Sequence, residues 1–516
     1  MLFFFGLGSR DFWAPVEPRY AEIARVMFAK GEWIVPTVNG ELYTDKPIFF
    51  FWLVLIASKI LGGVSEWSVR IPAALGGVGF VLSTYFLGRD FFSPRIGFFA
   101  AAILATSMRV IWEARWAHVD TVFCCFFVFA VYFGARALLR KGNPDEILLT
   151  YAFTGLATLT KGLIGVVLPG LLFVSFMLAR RDWRMIIDAK LALGMPIFLL
   201  VAAPWFFLVS QATDGKWLSD FIFVQHLQRY TAGLGHRQSL YYYFATLPVD
   251  LLPWTIFVIP ALVVSRPYRR VWRDPTSQFI LLWFLAVFVF FSFSDTKRDL
   301  YLMPLLPTVA LFIARFLDGA AQGQLPKDSL CRWFPIVFFA ASAIAGCALP
   351  IVAWFMRREA VGAILPASVV LAAGGVCAVL FILRRRLLLA LGSVAALMTL
   401  TIMAISLWLF PYLERFKSPR LFSLEIRKIA GLTAPLYIYA DSMHDFNYYM
   451  EREAIPILAD PQAVDRLLAS GQKSYVLIKQ RDLRRLSSLP REWIVAVDNK
   501  GGATWNLFEL KKRVTP

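Results

Sequence analysis

Uncharged apolar runs long enough to cross a bilayer recur along this chain, and they limit its fold more than any other feature. Stretches 193–210, 333–355 and 387–410 contain no Asp, Glu, Lys or Arg. Each is near the roughly 20 residues that a helix needs to cross about 30 Å of hydrocarbon. With no water to solvate the backbone there, a helix that bonds its own N–H and C=O groups is the only open structure tolerated. The balance of 58% hydrophobic and 17% charged residues agrees, since soluble domains sit near 45–50% and about 25%. An ordinary soluble enzyme is excluded.

Spans are expected over 71–88, 97–112, 121–139, 147–160, 162–179, 192–211, 246–265, 277–294, 300–318, 333–354, 362–383 and 387–410. Basic connections at Arg89/Arg95, Arg140/Lys141, Arg180–Arg184, Arg266–Arg273 and Arg384–Arg386 then fall on one side, the cytoplasm. This pattern accounts for the net charge of +18. The basic residues form no continuous face, so nucleic acid is not an expected partner. Residues 1–8 are apolar but too short to span, and lack the basic start of a signal peptide. They read as the tail of a first membrane helix whose earlier part is missing, for about thirteen spans in a native chain. The apolar segment 48–61 reads as an interfacial or re-entrant helix. The five cysteines lie in or beside apolar spans without metal-ligand spacing, and read as packing.

After residue 410 the composition turns polar. Helices are expected over 460–470 and 481–486, and strands over 436–439, 475–478, 493–497 and 505–510. The fold expected is mainly α: a polytopic transmembrane helical bundle over 1–415, including a juxtamembrane stretch over 10–70. A small soluble α/β domain over 416–516 follows it outside the membrane. Asp441, His444 and Asp445 in that domain read as a solvated loop, because no full ligand set is visible.

Ionisable groups near membrane depth are costly and usually functional, and five clusters fall in the connections opposite the basic ones. Glu17, Arg19 and Tyr20 open an amphipathic helix in which Pro18 suits the first turn. Tyr20, Ile23, Ala24 and Met27 share its apolar face. Asp45 and Lys46 precede the segment 48–61, where a lysine can meet a phosphate as a point charge. Arg115, His118 and Asp120 lie at the end of a span. His226, Arg229, His236 and Arg237 sit in the long connection 212–245, and Lys297 and Tyr301 belong to the cluster Ser294–Tyr301. Solvated charge, helix capping or snorkelling would explain most of these one at a time. Together they place carboxylates beside arginine and lysine at one membrane face. Such carboxylates can act as general base or bind sugar hydroxyls, and the cations can hold a leaving phosphate. The set suits transfer from a phospholipid-linked sugar, where the departing phosphate must be stabilised.

The motifs resemble those of the bacterial family 39 glycosyltransferases of the GT-C class, which include lipid A aminoarabinose transferases and relatives of protein O-mannosyltransferases. The matching residues are Glu17-Pro-Arg-Tyr-Ala-Glu-Ile-Ala-Arg25, Gly31-Glu-Trp-Ile-Val-Pro36, Asn39-Gly40 and Tyr43-Thr-Asp-Lys-Pro47. Ser65-Glu-Trp67, Arg70-Ile-Pro72, Arg115 to Asp120, Thr160-Lys-Gly162, His226-Leu-Gln-Arg-Tyr230, Gly235-His-Arg-Gln238 and Lys297 to Pro307 continue the series. The resemblance covers residues 10–310 well and the remainder by layout only.

It implies a sugar donor on undecaprenyl or a similar polyprenyl phosphate, used at the periplasmic side of the bacterial inner membrane. By the same carry-over Lys46, Arg229, Tyr301 and Lys297 would contact the carrier phosphate. Arg19, Tyr20, Arg115, His118, His236 and Arg237 would line the substrate pocket, and Asp45 and His226 would hold a divalent metal ion. The catalytic candidates are Glu17 and Asp120. The family usually opens its first motif with Asp-Glu and uses the aspartate as base, whereas this chain has Val16 there. The acceptor expected is lipid A or another envelope glycolipid, with a protein hydroxyl as the alternative. A transporter or lipid flippase is the rival of another class, although its charges would sit nearer the bilayer midplane and its halves would repeat.

Overall fold

The computed structural model describes residues 2–139, 143–228, 237–265, 274–323, 329–442, 444–486, 489–500 and 503–510. Arg229, His236, Arg140/Lys141 and the basic cluster 266–273 lie outside the described residues, as do the side chains of His226 and Cys331. The chain divides into two compact units. One comprises Met1–Phe5, Thr44–Leu53 and Arg70–Trp408; the other comprises Gly6–Tyr43, Val54–Val69 and Leu409–Pro516.

The first unit is helical. Among the described residues eight helices of the chain are long and apolar enough to cross a membrane, or ten if each of two bent pairs counts as one span. The expected spans 147–160 and 162–179 are helices Glu146–Lys161 and Ile164–Arg180, which at 16 and 17 residues are shorter than any of those eight. Segment 48–61 is the helix Phe49–Leu61 of 13 residues, about 20 Å long at 1.5 Å per residue. Residues 2–8, expected to continue a helix, form turns. Of the cysteines expected to pack, Cys124 is buried, Cys125 half-buried, and Cys347 and Cys377 are exposed.

Two expected spans are broken. In place of a continuous 97–112, helices Pro94–Ala105 and Met108–Ala114 meet at 65°. The break falls at Thr106 and Ser107, whose hydroxyls each donate to the carbonyl four residues back at 2.6 Å. Such back-bonding competes with the helical ladder and bends it. In place of 246–265, Tyr242–Asp250 and Trp254–Val264 meet at 106°, with Pro253, which has no N–H to give, in the corner. The two breaks satisfy each other. The Met108 N–H donates to the Leu252 carbonyl at 3.0 Å, and the Trp254 indole donates to Thr106 Oγ1 at 2.9 Å. Irregular backbone at membrane depth is tolerated where other protein groups take up its bonds, and here each break supplies the other.

The second unit is an α/β domain that includes chain from both ends. A hairpin of β1 (Thr37–Val38) and β2 (Glu41–Leu42) stands apart from a five-stranded sheet. That sheet consists of β3 (Leu436–Tyr439), β4 (Ile457–Leu458), β5 (Ser474–Lys479), β6 (Ile494–Lys500) and β7 (Ala503–Leu510) in the order β4-β3-β5-β7-β6. β3 runs parallel to β4 and β5, while β7 is antiparallel to both β5 and β6.

Alternation along β3 and β5 sends Leu436, Ile438, Tyr475 and Leu477 to one face, packed on Phe422, Phe446 and Trp505. Tyr439, Val476 and Ile478 go to the other, with Val464 and Phe508. Helix Val16–Lys30 packs against His444–Met450, and Tyr20, Ile23, Ala24 and Met27 are all buried as the apolar face requires. Asn39 accepts from the Asn447 amide at 3.0 Å and from the Ile455 N–H at 2.7 Å. The Phe12 N–H donates to the Tyr449 hydroxyl at 2.7 Å. Most of the stretch 10–70, all but 44–53 and residue 70, thus shares one unit with 416–516, which the sequence reading assigned to a separate domain. Partners about four hundred residues apart in sequence leave no local pattern to read.

Candidate functional site

The charged groups of the first unit gather where helices end. Asp120 is the first residue of helix Asp120–Leu139 and Lys161 the last of helix Glu146–Lys161. The chain must turn sharply after Lys161, and Gly162 takes φ +85°, a conformation that costs a glycine little. Lys161 Nζ donates to Asp120 Oδ1 at 2.5 Å, and both side chains are less than a tenth exposed. The ammonium also lies over two rings, 5.0 Å from Phe123 and 5.4 Å from Tyr301. A buried pair of this kind is costly to break, because either partner left alone is an uncompensated charge.

Beside it, Arg109 binds three carboxylates. It meets Glu113 at 3.2 Å and Asp250 at 2.8 Å, and is paired with Asp299. Glu113 is hydrogen-bonded through its other oxygen to His118 Nδ1. Asp250 is 1% exposed, and its Oδ2 has no hydrogen-bond partner among the described residues. Glu113, His118 and Asp120 form a possible metal-binding triad, with ligand atoms all within 4.8 Å of one another.

Arg115 is spent on architecture: its guanidinium donates to the carbonyls of Leu2 and Phe5 at 3.0 and 2.6 Å and to Ser406 Oγ at 2.7 Å. Lys297 is buried and donates to the carbonyls of Ser294 at 2.5 Å and Gln238 at 3.2 Å. Arg237 bridges to Thr296 through the backbone. Lys46 is half-buried, with Nζ donating to the Asp45 carbonyl at 2.9 Å.

In the second unit, Glu17 is fully buried and takes both Arg10 donors, at 2.6 and 3.0 Å, besides the Trp13 N–H at 3.4 Å. Arg10 lies 5.1 Å from the Trp13 ring. Tyr20 is buried, its ring edge-on to Tyr43, and Arg19 is half-buried. Burial pushes the Glu22 carboxyl up to about 7 against the pull of Arg25. It pushes Asp445 up to about 7 as well. His444 is pushed down to about 4, first by burial and then by Arg19. In place of a solvated loop, Asp441 pairs with Lys479 and Asp445 is buried.

Arg109, Asp250 and Lys161 carry none of the roles expected from sequence. Arg109 and Asp250 lie inside spans expected as continuous, and Lys161 stood only within the Thr160-Lys-Gly162 motif. The missed signal is the same at all three: a single ionisable residue in an apolar run, which is costly unless it is paired.

Residues 45–207 match the family described as dolichyl-phosphate-mannose-protein mannosyltransferase. A protein of Shewanella sediminis described as undecaprenyl phosphate-alpha-4-amino-4-deoxy-L-arabinose arabinosyl transferase is 27% identical over 469 residues, covering 88% of this chain and 83% of its own. The crystal structure of ArnT from Cupriavidus metallidurans bound to undecaprenyl phosphate superposes with a TM-score of 0.79 at 24% identity, over 98% of this chain and 96% of that one. The apo oligosaccharyltransferase of Archaeoglobus fulgidus shares the fold more distantly, with a TM-score of 0.52 at 13% identity over 92% of this chain and 67% of its own. The resemblance read from the motifs is borne out: the chain is a multi-pass membrane protein with the GT-C glycosyltransferase fold of the aminoarabinose-transferase type.

Proposed function

We propose that this protein transfers a monosaccharide from a polyprenyl phosphate, undecaprenyl phosphate in bacteria, to a phosphate of an envelope glycolipid such as lipid A. The reaction would take place at the periplasmic side of the inner membrane. One observation carries the choice of acceptor: both candidate bases are already engaged. Glu17 is fully buried with its two oxygens on Arg10, and Asp120 gives one oxygen to Lys161. A hydroxyl acceptor needs a base within hydrogen-bond reach of its proton. A phosphate monoester arrives already ionised and needs none. The resemblance of 88% of the chain to an arabinosyl transferase that is named for an undecaprenyl phosphate donor supports the same reading.

In this mechanism an acceptor phosphate oxygen attacks the anomeric carbon, and the bond from that carbon to the carrier phosphate breaks. The carrier leaves as a phosphate anion. Lys46 is the proposed cation for it, with Arg229 as its partner, because fixed charges aimed at the leaving group favour the transition state over the ground state. Lys297 already donates to two carbonyls and is proposed to fix the turn that leads into the short helix Asp299–Leu305, which carries Tyr301. Glu17 is proposed to anchor Arg10, and Asp120 to act at the reacting phosphates through Lys161. Arg19, Tyr20, His118, His236 and Arg237 remain proposed pocket residues. Asp45 and His226 remain the metal ligands implied by the family, with no step of the transfer assigned to them.

The test is to incubate purified protein with a labelled polyprenyl-phosphate sugar and either lipid A or acceptor peptides. Label in lipid A supports the reading. Label in a peptide hydroxyl replaces it with protein O-glycosylation.

A further inference from the structure

We infer that the hollow between helices Ser329–Met356 and Val361–Leu383 seats an anionic glycerophospholipid, with an acyl chain in the hollow and the phosphate on Arg384, Arg385 and Arg386. The two helices follow each other across the short connection 357–360, and their backbones meet at glycine. A Cβ on Gly346 would lie 2.6 Å from the Ala372 nitrogen, and one on Gly375 2.6 Å from the Phe339 carbonyl oxygen. Small side chains beside these contacts leave a hollow of about 520 Å³, lined by Ala343, Ile344, Cys347, Ala373, Val376 and Cys377 next to Ala372. Ile344 is 69% and Val376 49% exposed, so the hollow opens on the outer side of the helix pair. An apolar hollow in a membrane-spanning pair stays dry and takes hydrocarbon.

Charge selects which lipid supplies that hydrocarbon. From 329 to 413 the only carboxylate in the sequence is Glu359, at the opposite end of helix Val361–Leu383 from the three arginines. Arg384, Arg385 and Arg386 form the turn into helix Leu387–Ala404 and are all exposed. Cys377 precedes Arg384 by seven residues and Ala373 by eleven, about 10 and 16 Å along the helix at 1.5 Å per residue. That matches the roughly 15 Å available to an acyl chain in one leaflet, half of about 30 Å of hydrocarbon. Arginine meets a phosphate through two parallel donors, and basic groups between membrane helices bind anionic headgroups. Helix Leu387–Ala404 adds an N-terminus with no side-chain cap, which favours an anion as well.

A second copy of the chain fits the hollow less well. In a pair related by a twofold axis along the membrane normal, its own Arg384–Arg386 would arrive at the same depth as these, and like charges brought together are costly. The lipid seat does not depend on the proposed sugar transfer.

The experiment uses the full chain in detergent and native mass spectrometry, with phosphatidylglycerol and phosphatidylcholine of identical acyl chains as probes. The wild-type chain should hold one phosphatidylglycerol about 10-fold or more tightly than phosphatidylcholine, and less tightly as ionic strength rises. This comparison needs no variant to fold. Arg384→Gln/Arg385→Gln/Arg386→Gln should lose the preference, whereas Arg384→Lys/Arg385→Lys/Arg386→Lys should keep most of it. Ala373→Phe fills the hollow from an exposed position and should lose the bound lipid with all three arginines intact. Equal retention of the two lipids by the wild-type chain would overturn the inference. So would a preference that survives the glutamine variant, or binding that Ala373→Phe leaves unchanged. Disulfides between the Cys377 thiols of two copies in phosphatidylglycerol liposomes would give the hollow to a second copy instead.

Discussion

Glu17→Gln separates an anchoring carboxylate from a catalytic one. The Arg10–Glu17 pair has side chains 4% and 0% exposed and is bonded through both guanidinium nitrogens, at 2.6 and 3.0 Å. Glutamine keeps the shape but removes the charge, leaving the Arg10 cation buried against Trp13 and Phe410. Breaking one side of a buried pair costs about 3–5 kcal/mol. Arg10 keeps its bond to the Asp11 carbonyl, so the lower end, about 3 kcal/mol, is expected. At 2–4 °C per kcal/mol for domains of 150–250 residues, and less for longer chains, the apparent melting temperature in detergent should fall by several degrees. The double change Arg10→Met/Glu17→Leu should recover most of that fall, because an apolar pair carries no desolvation cost. Transfer per folded molecule should stay within about threefold of wild type, far from the 10²–10⁴-fold that a general base supplies. A variant that melts like wild type yet loses transfer by about 10² or more would refute the anchoring role and restore Glu17 as the base.

Other changes probe the remaining parts. Lys161→Met strands the buried Asp120 carboxylate and should lower stability by about 3–5 kcal/mol. Lys161→Arg should retain part of it, as melting curves of the two would show. Asp445 binds its proton up to about 7 in the folded chain and to about 4 when unfolded. Its contribution is therefore complete below about pH 4 and lost as pH rises to about 7, up to about 4 kcal/mol at 1.36 kcal/mol per unit. Asp445→Asn should flatten the fall in melting temperature over that window. A Cβ on Gly97 would lie 2.6 Å from the Tyr85 carbonyl oxygen and 2.7 Å from the Arg89 nitrogen. Backbone cannot yield as a side chain does, so Gly97→Ala should cost about 1–3 kcal/mol, measurable as reduced thermal stability.

Local order was well written in the sequence. β3 matches its expected bounds, β5 and β7 extend theirs by a residue or two, and helix Val16–Lys30 buries the predicted face. β4 has only two residues, too few for any periodicity to register. The two broken spans were invisible because Thr106, Ser107 and Pro253 act on a ladder whose hydropathy is unbroken. The candidate site was half legible. Asp120, His118 and Tyr301 border polar sequence and were found there. Lys161, Arg109 and Asp250 are embedded in apolar runs; Glu113 lies one turn from Arg109 on the same helix, but the pairings of Lys161 with Asp120 and of Arg109 with Asp250 and Asp299 form only when distant helix ends meet. Arg115 shows the converse: its motif suggested a pocket, whereas its donors hold the backbone of Leu2 and Phe5.

The most direct measurement is sugar transfer by the purified chain in liposomes carrying a labelled polyprenyl-phosphate sugar and lipid A. Label should move to lipid A in the wild-type protein and not in Lys46→Ala, with both eluting as the same monodisperse peak in detergent. Folded protein that moves no label to any acceptor, or a Lys46→Ala variant that transfers at the wild-type rate, would contradict the proposed grip on the carrier phosphate.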